Sequence, residues 1–211
     1  MYLYHQLTPL IHLIQLIFQD MFLNSISVLA KTYSENVYPF IFSLLCGNLT
    51  FVMIFGFCVL YMYSEAPFMN QKELYNIVRT GRYKWLVSQE ISITILAVFL
   101  ILYSYLIEAI RLCPRVSFSN QWDRIELSLS YGTISSDIMG FEMSVLQKYS
   151  TWMVALYGIL MGVLVVNVVG HIMYTMSLLL NRVAAVLVGS FFAVMPIISN
   201  NSSNVYGWVY Y

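Results

Sequence analysis

The chain has 211 residues, 60% of them hydrophobic and only 9% charged, and ten basic residues balance ten acidic ones. Soluble domains carry about 25% charged residues, so the solvent of most of this chain is lipid or neighbouring membrane helices. Zero net charge leaves no electrostatic footprint for nucleic acid, and Cys46, Cys58 and Cys113 lack the paired spacing of a disulfide framework or a metal site.

The first apolar segment covers about 7–29 and carries His12, Gln15, Gln19 and Asp20. It must hide a polar stripe against a partner or lie at the interface. No secretory signal is expected, because nothing strongly basic precedes it. The second segment, about 37–63, sits in a run of 29 uncharged residues from Asn36 to Ser64. At ~1.5 Å per residue, one helix of that length outspans a ~30 Å hydrocarbon core. The third covers about 91–112 and is uncharged from Ile91 to Ile107. The fourth, about 152–174, lies in the 33 residues between Lys148 and Arg182. The fifth, about 183–198, is short for a span and ends near Pro196.

Continuous apolar runs indicate helices, not the alternating strands of a membrane barrel. The fold class predicted is therefore all-α: a polytopic transmembrane protein with about 4–5 membrane helices in a single domain. Polar loops are expected at 65–89 and 113–147. Rings such as Tyr61, Tyr83, Trp85 and Trp152 sit at segment ends, as interfacial anchors do.

Few polar residues are available for chemistry. Glu35 opens the long run. It reads either as a protonatable carboxylate on a proton path or as a wet carboxylate at a helix N-terminus. Asn167 and His171 are four apart, so they share a helix face, and Gly170 beside them permits close helix approach. They are expected to make interhelical hydrogen bonds. Haem ligation wants paired histidines on two helices, and His5, His12 and His171 do not supply them. Glu108 and Arg111 are expected to pair locally. Asp20 either faces a partner or is wet. Nucleotide, dinucleotide and zinc motifs are missing, so no cofactor bound by this chain is expected.

Residues Gly47-Asn48-Leu49-Thr50-Phe51-Val52-Met53-Ile54-Phe55-Gly56 resemble the third helix of subunit 6 of respiratory complex I, the proton-pumping NADH:ubiquinone oxidoreductase. Glu35 stands twelve residues before the glycine, where that family often carries a glutamate. Thr8-Pro9-Leu10-Ile11-His12 resembles the start of the family's second helix. Leu164 to Thr175 resembles its last. The family's first helix has no counterpart before Thr8, the tyrosine it often carries two places before the glycine is Leu45 here, and the tail after Arg182 is longer and more apolar.

The resemblance implies a divergent, organelle-encoded, multi-pass subunit of the mitochondrial inner membrane. It would be a non-catalytic part of the NADH:ubiquinone oxidoreductase, with other complex I membrane subunits and lipids as partners. In the family the third helix can form a π-bulge tied to the proton route. That flexibility falls here on Gly47, Phe51 and Gly56, with Glu35 on the proton path. Two readings compete: a structural subunit of cytochrome oxidase or ATP synthase, and a small transporter.

Overall fold

The computed structural model describes residues 24–39, 41–46, 48–66, 78–79, 81–130 and 143–206. Among them the chain is all-helical, with one isolated bridge, Val37 to Val116, and no strand. The helices are α1 (Asn24–Tyr33), α2 (Phe42–Leu45), α3 (Leu49–Tyr63), α4 (Arg82–Leu112), α5 (Arg124–Ser130), α6 (Met143–Lys148), α7 (Thr151–Leu179) and α8 (Arg182–Tyr206). Two are long and apolar enough to cross a membrane: α4 with 31 residues and α7 with 29.

The chain forms two compact units, one of Met1–Ile54 with Leu100–Gly162 and one of Phe55–Phe99 with Val163–Tyr211. The division falls within α3, α4 and α7, so each of these helices supplies residues to both units.

The apolar run 37–63 is not one helix. Pro39 has no N–H to give a helix and disfavours the helical conformation at Tyr38 before it. The described residues Glu35–Pro39 are irregular, and the next described helix is α2. A second stop lies at Asn48, whose side-chain oxygen accepts the Phe51 N–H at 3.2 Å while its carbonyl takes the Val52 N–H at 3.0 Å. That is an N-cap, and it starts α3. From Leu49 to Tyr63 the helix is regular α throughout. Asn181 caps α8 in the same way, accepting the Ala184 N–H at 2.7 Å. Helix α8 runs on through Pro196 to Tyr206.

Helix α4 shows two faces at helical spacing. Ile93, Ala97, Leu100, Ile101, Ser104 and Glu108 are buried, whereas Ile91, Ile95, Val98, Leu102, Leu106 and Ile110 are exposed. The exposed face is as apolar as the buried one. Hydroxyls on this helix bond back onto it: Ser92 to the Ser88 carbonyl at 2.8 Å and Ser104 to that of Leu100 at 2.9 Å. A helix in lipid satisfies stray hydroxyls in this way. Helix α7 repeats the pattern, with Leu156, Leu160, Leu164 and Val168 exposed and Ala155, Val166 and Met173 buried.

Small residues set the packing of α7. In the first unit, a Cβ on Gly158 would lie 2.5 Å from the Tyr105 hydroxyl, and one on Gly162 would lie 3.0 Å from Ile101 Cδ1. In the second unit, a Cβ on Gly170 would meet Ile93 Cγ2 and Tyr63 Cζ at 2.8 Å. Glycines four residues apart let helices approach closely, as small-residue seams do in membranes.

Candidate functional site

In the first unit the irregular segment between α1 and α2 is held by groups distant in sequence. Ser34 turns out of α1 with φ of 53°. Val37 donates its N–H to the Arg115 carbonyl and accepts the Ser117 N–H, both at 3.0 Å. The Tyr38 N–H reaches Glu126 Oε1 at 2.9 Å, and the Phe42 N–H reaches Glu108 Oε2 at 2.9 Å. Arg115 donates to the Ala30 carbonyl at 2.6 Å. A buried backbone polar group must find a partner, and here two buried carboxylates supply part of what a helix would have given.

Glu108 is fully buried, and its Oε1 has no hydrogen-bond partner. Among the described residues no cation pairs with it. The local pair expected with Arg111 does not form. Glu108 falls on the buried stripe with Ser104, and Arg111 falls on the exposed face. Beside Glu108 on α4, the Tyr105 hydroxyl meets Ser43 Oγ at 2.6 Å, and Ser43 also donates to the Val154 carbonyl at 3.2 Å.

Glu126 sits in the first turn of α5, three residues after Asp123, whose carbonyl accepts the Leu127 N–H at 3.2 Å. Burial pushes its carboxyl up from 4.5 to about 7, against the pull of the Tyr38 N–H, and the nearby Asp123 charge adds to the rise. Asp123 itself accepts the Ser117 hydroxyl at 2.5 Å.

In the second unit, α4 and α7 run antiparallel and join through a polar ladder. Glu90 Oε2 contacts His171 Nε2, and Thr94 Oγ1 donates to Asn167 Oδ1 at 3.3 Å. The other ring nitrogen of His171 lies 2.8 Å from the Asn167 carbonyl. The two rungs are each four residues apart on both helices, which puts them on facing stripes. Tyr63 closes this end, donating to the Ile93 carbonyl at 3.0 Å.

The residues singled out from sequence fall as follows. Asn167 and His171 share the α4-facing side of α7. Glu35 makes an ion pair with Arg124 at 3.4 Å, with its side chain 38% exposed. Phe51 is buried, edge-on to Phe42 at 5.6 Å between centroids. Gly56 packs on α8, where a Cβ would meet that of Ala193 at 3.1 Å. Asp20 and Gly47 lie outside the described residues. Sequence reasoning missed the burial of Glu108 and Glu126. The spacing Asp123-x-x-Glu126, a capping-box pattern, marks the start of α5 but carries no signal of burial.

Comparison of the chain with protein-family models, with curated proteins and with solved structures finds no match.

Proposed function

We propose that this chain is an integral membrane subunit of a multi-subunit respiratory complex, with a role similar to that of subunit 6 in the proton-pumping NADH:ubiquinone oxidoreductase. The observation that carries the membrane part is the apolar outward face of α4 and α7. On α4 Ile91, Ile95, Val98, Leu102 and Leu106 are exposed while Ser104 and Glu108 are buried, and on α7 Leu156, Leu160, Met161, Leu164 and Val165 are exposed. A water-soluble bundle would bury Ile91, Ile95 and the aliphatic residues in line with them. Lipid as solvent rewards the reverse.

The respiratory assignment rests on the sequence resemblance around Glu35, Gly47 and Gly56. In this reading the protein lies in the mitochondrial inner membrane and α3, α4, α7 and α8 cross it; most of the apolar segment expected at 7–29 lies outside the described residues. It holds no redox cofactor and works through partner membrane subunits. Its polar groups, Glu35 first among them, belong to a proton route.

Two experiments test this. Alkaline carbonate washing of membranes leaves an integral protein in the pellet, and release into the supernatant would end the membrane reading. Replacing Glu35→Gln is expected to lower coupled proton pumping while leaving assembly intact. Unchanged pumping in that variant removes Glu35 from the path.

A further inference from the structure

Among the described residues, the N-terminal end of α4 is basic, exposed and free of acids. Arg79, Arg82 and Lys84 are all exposed, and between Val78 and Gln89 there is no Asp or Glu. Interleaved with these cations is Tyr83, which is 78% exposed. Next comes Trp85, then exposed Leu86 and Val87, and then the apolar stripe beginning at Ile91. Cation, amphipathic ring and aliphatic side chain follow one another along the helix axis in the order of a membrane surface read inward.

A fourth cation comes from the other side of the same unit. Helix α7 lies antiparallel to α4 through the Glu90–His171 and Thr94–Asn167 contacts. Eight residues of helix, ~12 Å, separate Glu90 from Arg82 on α4 and likewise His171 from Leu179 on α7. The α7–α8 connection, with exposed Arg182 just after it, therefore reaches the level of Arg82. Among the described residues the acids near this end are Glu90, which contacts His171, and Glu65 just beyond α3, so that positive charge outnumbers negative.

We propose that this end of the second unit, built from Arg79, Arg82, Lys84 and Arg182, is a docking surface for anionic phospholipid headgroups. The proposal rests on the membrane reading above and adds a lipid preference to it. Each basic side chain near an anionic surface strengthens binding by about fivefold, and salt weakens the effect over a Debye length of ~8 Å under physiological conditions. Guanidinium groups add forked hydrogen bonds to phosphate oxygens. Tyr83 and Trp85 sit where a ring meets the glycerol region, which fixes the depth at which the cations lie.

The test uses the full chain reconstituted in phosphatidylcholine vesicles containing spin-labelled phosphatidylglycerol or spin-labelled phosphatidylcholine, with relative association read by electron paramagnetic resonance. The expected result is a preference for phosphatidylglycerol of at least about fivefold at low salt. It should fall toward parity in 1 M salt, and in the Arg79→Gln/Arg82→Gln/Lys84→Gln variant. Equal association of both lipids with the unaltered chain would overturn the proposal, as would a preference that survives both salt and the triple replacement. In either case a chain that stays in carbonate-washed vesicles keeps its membrane assignment. A chain that washes out takes both readings down together.

Discussion

Helix α7 carries two glycines on which the same substitution should have different consequences. Replacing glycine with alanine in a helix interior gains about 1 kcal/mol in propensity. At Gly162 the new methyl would meet Ile101 Cδ1 at 3.0 Å, the far end of a side chain that can rotate away. Gly162→Ala is therefore expected to be neutral to stabilising. At Gly170 the methyl would meet Ile93 Cγ2 and Tyr63 Cζ, both at 2.8 Å. Neither can give way easily. Ile93 is β-branched and stiff in a helix, and the Tyr63 ring is pinned by its bond to the Ile93 carbonyl. Overpacking of this kind costs about 1–3 kcal/mol, and loss of the Tyr63 bond adds about 1 kcal/mol. After the propensity gain, Gly170→Ala should destabilise by roughly 1–3 kcal/mol. Thermal unfolding in detergent should then place it below Gly162→Ala by several degrees, at roughly 2–4 °C for each kcal/mol. Equal melting temperatures, or a more stable Gly170→Ala, would refute the close packing of Gly170 against α3 and α4.

Other consequences follow from the buried carboxyls and the polar ladder. The Glu126 carboxyl rises from 4.5 to about 7 on folding, so the folded chain holds this proton more tightly than the unfolded one. Stability is then greatest below pH 4.5, falls as pH rises toward 7 and levels off above it. The fall amounts to about 3 kcal/mol, and thermal unfolding of Glu126→Gln should lack it. Glu108→Ala removes the carboxylate that accepts the buried Phe42 N–H and should cost about 1–3 kcal/mol, whereas Glu108→Gln keeps an acceptor and should unfold closer to the parent. A double-mutant cycle of Glu90→Gln and His171→Ala should return a coupling of about 0.5–1 kcal/mol, modest because both side chains are partly exposed. A coupling of zero would mean that the ladder does not link α4 to α7.

Much of this architecture can be read from the chain. The uncharged stretches at Ile91–Ile107 and between Lys148 and Arg182 became α4 and α7, because nothing in them offers water a reason to intervene. The spacing of Asn167 and His171 placed them on one face. Their partners, Glu90 and Thr94, lie more than seventy residues away, where no local pattern reaches. The break in the long run carried its own signals, Pro39 and Asn48, which the absence of charge outweighed. Hydropathy counts apolar residues, but a cap and a missing N–H decide where a helix starts. Spacing alone suggests a local pair of Glu108 with Arg111, because the two are three apart. The true partner of Glu108 is a backbone N–H at Phe42, freed by the break that Pro39 makes.

The account stands or falls on the assembly that holds this chain. Gently solubilised membranes should be separated on a native gel, stained for NADH-dehydrogenase activity, and each band digested for peptide mass spectrometry. Peptides of this chain peaking in the NADH-active band are the predicted result. A peak with cytochrome oxidase or ATP synthase, or migration as a small particle alone, would contradict it.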